Sequence, residues 1–317
     1  MSIQEYAERF KRMRVSGPHK VCMLLAVLDL ARAGLLRQNR IVYGPALLER
    51  YSGFFQAVRL PNQHPNPNLP FFHLRSALTD GQSSFWHLAP VLGREPAVSA
   101  MTTAPSPTAT LNDIAFATLD EELFDLLQAQ ESIDALGDAL ARHWFQQGLG
   151  DLDAAVGAAT QISRYERVLR DGPPLTPAVP LPPRAVRDPA FRRVVLESYD
   201  YRCAATGLRV VLNDNTEAMV EAAHIIPFSE SQDDDPRNGI ALTPNMHWAM
   251  DRNLIAPGPD FLWHVSRALD DRIPDFRVFA ELEGRSIFKP GELRRIPKQA
   301  ALIWRRDRLR DPTWRAQ

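Results

Sequence analysis

The 317-residue sequence contains two cysteines, Cys22 and Cys203. Two thiols cannot build a disulfide framework, and they are too few for a four-cysteine zinc site. No apolar run approaches the roughly 18 residues of a membrane span, and the N-terminal stretch MSIQEYAERFKRMR lacks the apolar core of a signal peptide. The sequence therefore predicts a cytoplasmic protein with no disulfide, no structural zinc and no membrane partner.

A large excess of charge of one sign is also missing, since the net charge is −1. The content of 45% hydrophobic and 24% charged residues is ordinary for a globular protein. The charge is unevenly distributed, however. Residues 112–138 carry eight acidic and no basic side chains, and residues 285–315 carry ten basic against three acidic ones. The basic segment would suit a phosphate-binding surface, and a solvated surface helix would explain it equally well.

The length of the chain is sufficient for two domains, each with its own core. Six prolines lie between Pro173 and Pro183, and such a composition is typical of an extended, semi-rigid spacer. We therefore predict an N-terminal domain over residues 1–165, a Pro-rich linker over residues 166–188 and a C-terminal domain over residues 189–317. Helical periods dominate the first domain, with a few short strands, so the predicted fold class is α+β.

The most informative stretch covers residues 221–251, EAAHIIPFSESQDDDPRNGIALTPNMHWAMD. Its pattern predicts a strand, an acidic loop, an Asn-Gly turn, a second strand and a helix. On a helix, His247 and Asp251 project from one face because they stand four residues apart, and such a pair can bind one divalent cation. His224, at the end of the first strand, can act as a general base beside this cation.

This order of residues resembles the HNH nuclease family, whose ββα-metal fold cleaves phosphodiester bonds with a single divalent ion. The segment AHIIP is similar to the first-histidine segment of the family, and the nine-residue spacing between Asn238 and His247 matches the second half of the motif. The resemblance implies that His224 is the general base and that Asn238 orients the loop that holds it. It also implies that His247 and Asp251 bind a magnesium, manganese or other first-row metal ion.

Two departures from the family pattern bear on the metal site. Many HNH nucleases carry Asp or His immediately before the base, where this sequence has Ala223. Glu221 lies on the same strand face as Ala223 and is the expected substitute ligand. Many relatives also hold zinc with two Cys-x2-Cys pairs, of which only the variant C-x-x-T-G around Cys203 remains. The alternative to a nuclease is a DNA-binding regulator or adaptor with a degenerate HNH fold that does not cut.

A second set of motifs lies in the first 95 residues. GPHK precedes a long apolar helix, HPNPNLPFFHLR combines prolines with aromatic and basic residues, and SSFWHL predicts a short strand. Together these motifs resemble the sulfur-binding domain of modification-dependent restriction enzymes, which reads phosphorothioated DNA. The resemblance implies that Leu69, Pro70 and His73 line a sulfur-binding pocket. It also implies that His19, Lys20 and Arg75 bind phosphates or reach bases.

The two resemblances together predict a metal-dependent endonuclease that restricts phosphorothioated double-stranded DNA near the recognised mark. Leu69 replaces the usual aromatic residue before the pocket proline, and Val21 replaces a proline after Lys20. An HNH endonuclease that acts on another modification, or on unmodified DNA, therefore stays an alternative. Because one nuclease site cuts one strand, a homodimer is the simplest expectation for two-strand cleavage.

Overall fold

The computed structural model describes residues 1–15, 17–76, 78, 83–146, 152–172, 181–212, 217–270 and 272–310. The chain divides into two compact units. The first consists of residues 1–167 with the segment 212–217, and the second of residues 168–211 and 218–317. Within the described ranges, no helix combines the length and apolar character needed to cross a membrane.

The first unit is mostly helical and contains one two-stranded antiparallel sheet in its described part. Its strands are β1 (Trp86–Pro90) and β2 (Ile114–Leu119), with Trp86 opposite Leu119. Its helices are α1 (Ile3–Lys11), α2 (His19–Arg32), α3 (Pro45–Val58), α4 (Asn68–His73), α5 (Glu95–Ala100), α6 (Pro107–Asp113), α7 (Glu121–Leu126), α8 (Gln130–Gln146) and α9 (Leu152–Asp171), whose last turn passes into the second unit.

Helix α2 forms the centre of this unit because its sequence is apolar around the whole circumference. Its residues from Val21 to Arg32 are all buried, and α3, α4 and α8 pack against it. Burying a leucine or valine side chain contributes about 1.5–3 kcal/mol, so this helix supplies a large share of the core. The position of α2 in turn places His19 and Lys20, its first two residues, at one end of the core.

Aromatic residues anchor the short helix α4 to the sheet. Phe71, Phe72 and Trp86 are fully buried and belong to the core of the first unit. The indole Nε1 of Trp86 donates a hydrogen bond to the carbonyl oxygen of Phe71 at 2.9 Å, and the two rings meet edge to face at 5.4 Å. This contact holds α4, and with it Leu69, Pro70 and His73, in a defined position.

A buried group of charges joins three helices of the first unit. Arg50 of α3 lies with its Nε 3.1 Å from Asp29 Oδ2 of α2, and its Nη2 pairs with the carboxylate of Glu166 in α9. All three side chains are at most 1% exposed. Because an ion pair withdrawn from water depends on both partners, removal of one carboxylate leaves a desolvated charge that is only partly balanced.

We therefore expect Glu166→Ala to destabilise the first unit by about 3–5 kcal/mol, since Arg50 would keep its charge inside the protein with one partner fewer. Denaturant unfolding followed by circular dichroism measures this loss. Glu49→Ala, on the same helix as Arg50 but half-exposed, is a control for helix content. A change below about 1 kcal/mol for Glu166→Ala would contradict the structural role of the network.

The predicted linker over residues 166–188 does not coincide with a gap between two helices of the structure. Residues up to Asp171 belong to α9, and α10 begins at Arg184, so the predicted spacer overlaps two helices. Residues 173–180, which hold four of its prolines, lie outside the described part of the chain. Helix α10 (Arg184–Ser198) carries Pro189 in its interior. Its first turn forms because Pro183 precedes it, and the Pro183 carbonyl accepts hydrogen bonds from the backbone of Val186 and Arg187.

The second unit contains the predicted order of strand, loop, strand and helix. Strand β3 (Glu221–His224) pairs antiparallel with β4 (Gly239–Leu242), and His224 lies opposite Gly239. Helix α12 (Pro244–Asp251) follows β4 and packs against both strands. The remaining elements are α10 (Arg184–Ser198), α11 (Phe228–Ser231), β5 (Ile255–Pro257), β6 (Trp263–Val265), α13 (Arg277–Ala280) and α14 (Gln299–Arg306). The α+β fold class, with a ββα element in the C-terminal region, is confirmed.

The Asn238-Gly239 pair does not form the expected turn. Asn238 ends a short 3₁₀ helix, and Gly239 is extended, with φ −115° and ψ 149°. The reason for a glycine is steric, because a Cβ atom here would lie 2.4 Å from Val195 Cγ2 and 2.9 Å from Phe191 Cζ. Helix α10 therefore packs directly against the strand, which brings Phe191 next to the histidine opposite Gly239.

Candidate active site and candidate DNA-reading cavity

His224 lies at the end of β3 and makes one short polar contact. Its Nε2 is 2.9 Å from Asp234 Oδ1, and its ring stacks on Phe191 at 3.9 Å with an interplanar angle of 1°. A carboxylate only accepts hydrogen bonds, so Nε2 carries the hydrogen and the lone pair of the neutral ring resides on Nδ1. His224 thus has the tautomer in which Nδ1 can accept a proton.

Asp234, the partner of His224, is a residue that the sequence interpretation did not single out. Its side chain is 0% exposed, and its carboxylate also accepts hydrogen bonds from Arg187 Nη1 at 2.9 and 3.1 Å. The guanidinium of Arg187 in turn packs over the ring of Phe228 at 3.6 Å. The acidic run DDDP was visible in the sequence, but only the fold distinguishes its middle aspartate from the other two.

Asn238 is fully buried and connects two parts of the loop between β3 and β4. Its Oδ1 accepts a hydrogen bond from the amide of Ile226 at 2.9 Å, and its Nδ2 donates to the carbonyls of Ile226 at 3.0 Å and Asp233 at 3.1 Å. The amide group therefore holds the chain just after His224 against the chain just before Asp234. It does not line the cavity at His224.

The acidic loop is neutralised by basic side chains around it. Lys298 Nζ lies 2.7 Å from Asp233 Oδ2 and 3.1 Å from Asp235 Oδ2, and Arg237 Nη2 lies 2.6 Å from Asp235 Oδ2. Burial alone would raise the pKa of Asp235. Hydrogen bonds from Arg237 and Lys298 outweigh burial and lower this pKa to about 2.

The helix α12 presents His247 between two carboxylates. His247 Nδ1 is 2.8 Å from Glu221 Oε2 on β3, and its Nε2 is 3.5 Å from Asp251 Oδ2 one turn further along the helix. The two carboxylates are a little over half exposed, and the imidazole is 26% exposed. The three predicted metal ligands therefore lie next to one another, and Glu221 and His247 line a cavity that also includes His224.

The donors present fit a divalent cation in kind, because one imidazole and two carboxylates are ligands for magnesium, manganese and later first-row metals. In the structure Glu221 accepts a hydrogen bond from His247 Nδ1, whereas Asp251 lies at ion-pair distance from Nε2. Within the described ranges, no group of three or more His, Cys, Asp or Glu side chains forms a ready metal cage. Ala223 is buried and offers no donor. If a metal binds, Glu221, His247 and Asp251 are the side chains that would hold it.

Arg305 of α14 connects the strand of His224 with the helix of His247. Its Nε donates to the carbonyl of Ile225 at 2.6 Å, and its Nη1 donates to the carbonyl of Met250 at 3.2 Å. The side chain is almost fully buried, and this burial lowers its pKa. No local pattern could have revealed this role, since about 80 residues separate Arg305 from its strand partner.

One cavity of about 660 Å³ in the second unit brings these groups together. Part of its lining comes from β3 and α12, namely Glu221, Ala222, His224 and His247. Residues of α10 and the start of α11 form the rest, namely Arg184, Arg187, Asp188, Phe191, Arg192, Phe228 and Ser229. The arrangement offers a base, a cluster of metal-binding donors and several cations, which are the groups that phosphodiester hydrolysis requires.

The first unit contains a separate cavity of about 260 Å³, lined by Gly17, His19, Lys20, Leu69, Pro70 and His73. Five of these are residues that the sequence predicts to contact DNA. Gly17 has φ +142°, a value that favours glycine. His19 Nδ1 lies 2.9 Å from the Tyr51 hydroxyl and 3.2 Å from the carbonyl oxygen of Pro65.

The charge in this smaller cavity is low. Burial lowers the pKa of His19, and burial together with the charges of Lys20 and Arg75 lowers that of His73. Both imidazoles are therefore neutral at neutral pH. Lys20 Nζ donates to the carbonyl of Arg14 at 2.9 Å, and burial also lowers its pKa. The lining combines apolar groups and neutral rings with one ammonium group.

Arg75 does not line this cavity. Its Nη1 donates to the carbonyl of Val98 at 3.2 Å, and its Nη2 donates to that of Met101. The guanidinium also lies 3.9 Å from the centre of the Phe72 ring. These contacts connect the loop after α4 to α5, so the structure places Arg75 in a packing role that the sequence did not indicate.

The second unit contains β3, β4 and α12 in the order of a ββα element. A family model described as HNH endonuclease matches residues 203–256, which span β3, β4 and α12. The chain therefore carries an HNH endonuclease domain over residues 203–256.

Comparison with whole proteins adds little to this assignment. No curated protein matches the chain. Among solved structures, a "Modification dependent TagI restriction endonuclease" is similar over 40% of this chain and 39% of its own, with 17% sequence identity and a TM-score of 0.29.

The low pKa of Asp235 predicts a specific dependence of stability on pH. Because the pKa is about 2 in the folded protein and about 3.9 when unfolded, the charged form stabilises the fold above about pH 4, and this contribution is lost as the pH falls towards 2. We expect Asp235→Asn to lower the free energy of unfolding by about 1 kcal/mol at pH 7 and by less at pH 3. Chemical denaturation at both pH values measures the difference, with Glu281→Gln in an exposed pair as the control. An equal effect at both pH values would contradict it.

Proposed function

We propose that this protein is a metal-dependent endonuclease that hydrolyses phosphodiester bonds in double-stranded DNA, with His224 as its general base. The observation that carries the proposal is the contact between His224 and the buried Asp234 in a cavity that also contains His247 and Glu221. A base oriented by a carboxylate is the arrangement that removes a proton from a nucleophile near neutral pH.

In this proposal His224 Nδ1 accepts a proton from the attacking water. Asp234 stabilises the imidazolium that forms, and Arg187 holds the carboxylate in place. Asn238 orients the loop that carries both ends of the pair, through the hydrogen bonds to Ile226 and Asp233. It is therefore a positioning residue, and it needs no contact with the substrate.

The same proposal assigns Glu221, His247 and Asp251 to a divalent ion. When bound, such an ion supplies positive charge at the phosphate and at the leaving oxygen. The three donors are exposed enough for an ion to reach them. His224 lines the same cavity as Glu221 and His247.

Substitution of His224 tests the assignment of the base. We expect His224→Ala to reduce cleavage by at least about 100-fold, as is typical of a lost general base, while binding to a DNA duplex is retained. Cleavage of end-labelled DNA with magnesium or manganese and a gel-shift assay measure the two quantities. Cleavage at the parental rate would show that the base is another residue, and binding without any cleavage by the parent would favour the non-cleaving regulator.

Substitution of Asp234 separates orientation from simple loss of structure. We expect Asp234→Asn to reduce kcat by about 10- to 100-fold, the usual scale for a supporting hydrogen bond, and to change the acidic limb of the pH–rate profile. Asp233→Asn is the matched control, because it belongs to the same acidic loop and pairs with Lys298 rather than with His224. Identical pH profiles for the parent and Asp234→Asn would contradict a role for Asp234 at His224.

We further propose that the cavity of the first unit reads a phosphorothioate linkage. Sulfur is larger and less strongly hydrated than the oxygen that it replaces, so it can pack against Leu69 and Pro70 at a lower desolvation cost. The neutral rings of His19 and His73 suit this soft group, and Lys20 supplies a positive charge for the backbone. Leu69 is 39% exposed and is therefore available for contact.

Matched duplexes with and without phosphorothioate test the reader. We expect the parent to bind the modified duplex at least about 10-fold more tightly, a difference of about 1.4 kcal/mol, and Leu69→Ser to remove most of that preference. Leu92→Ser, at an exposed leucine outside the cavity, is the control. Equal affinity of the parent for both duplexes would exclude phosphorothioate as the mark without affecting the nuclease assignment.

A further inference from the structure

Helix α10 presents a row of charged side chains to the cavity that contains His224. Arg184, Asp188 and Arg192 follow one another at intervals of four residues, so they project from one face of the helix. All three line the cavity of about 660 Å³. The lining also includes Glu221 and His247, so the cavity combines the arginines of α10 with two of the proposed metal ligands.

The arginines of α10 that line the cavity differ in their partners and in their exposure. Arg187 is committed to the buried carboxylate of Asp234 and to the ring of Phe228, and its side chain is only 10% exposed. Arg184 is 86% exposed, and its partner Asp188 is 44% exposed at a distance of 2.7 Å. An exposed ion pair of this kind contributes only about 0–1 kcal/mol. A phosphate group can therefore replace Asp188 as the partner of Arg184 at little cost.

The proposed catalytic groups do not account for the binding of phosphates next to the cleaved bond. A DNA strand carries a phosphate at every nucleotide, so a strand that brings one phosphate to His224 must place its neighbours along the same cavity. The carboxylates of Glu221 and Asp251 would repel a neighbouring phosphate. Arginine is suited to the opposite task, because its planar guanidinium binds phosphate oxygens in pairs.

We propose that Arg184 and Arg192 of α10 bind the DNA backbone at a phosphate next to the cleaved bond. This proposal rests on the proposed nuclease function, since it assigns a second phosphate-binding position to the same cavity. The two arginines act in binding and orientation, whereas His224 acts on the reacting water. Their loss should therefore weaken the complex with DNA more than it slows the chemical step.

The test compares Arg184→Ala, Arg192→Ala and the double variant with Arg285→Ala. Arg285 is the matched control, because it forms an exposed pair with Glu281 at the same four-residue spacing and does not line the cavity. We expect the double variant to raise KM for a short duplex by about 10-fold or more with kcat changed less than about 3-fold. In the non-cleaving His224→Ala background, the slope of log K against log salt should fall by about 0.9 for each arginine removed.

Two further measurements distinguish a loss of phosphate binding from a loss of the fold. Melting curves identify a variant that has lost its fold, and Arg184→Lys with Arg192→Lys should restore part of the affinity because the charge remains while the paired hydrogen bonds are lost. Phosphate binding by Arg184 and Arg192 is excluded if KM and the salt slope of the double variant match those of Arg285→Ala. If the parent cleaves no DNA, the nuclease proposal fails, whereas the salt slope still decides whether these arginines bind phosphate.

Discussion

The hydrogen bonds accepted by the buried carboxylate of Asp234 connect the main parts of the candidate site in the second unit. The carboxylate accepts hydrogen bonds from His224 on β3 and from Arg187 on α10, and a carboxylate without exposure to water is tolerated only when such partners are present. The charge thereby determines the tautomer of the histidine and also holds α10 against the sheet. A single desolvated group connects the stability of the unit with the chemistry proposed for it.

Close packing around this carboxylate leaves little freedom in the surrounding backbone. Gly239 allows α10 to approach β4, because any Cβ atom would overlap Val195 and Phe191. Asn238, immediately before it, fills its hydrogen-bonding capacity with backbone groups of the same loop. The Asn-Gly pair therefore serves packing and loop geometry here, and its resemblance to a hairpin turn signal is a coincidence of composition.

In the first unit, buried charges join helices to one another. Its buried ions, Asp29, Arg50 and Glu166, join α2, α3 and α9 and do not line the cavity at His19 and Pro70. The cavity itself is only weakly charged, since burial favours the neutral forms of both histidines that line it. A weakly charged cavity suits recognition of a small chemical difference on the DNA backbone, whereas general attraction to DNA requires exposed cations elsewhere.

The order of elements in the HNH segment and the residues of its motif could be predicted from the sequence. Helical and strand periods and the spacing of His224, Asn238 and His247 are local properties of the chain. The sequence also indicated most of the lining of the smaller cavity, since those residues fall in two short segments. The packed fold was needed to show which of three consecutive aspartates contacts His224 and that Arg187 pairs with the same aspartate. The packing role of Arg75 and the link made by Arg305 likewise depend on partners distant in sequence, and such contacts form only when the elements pack together.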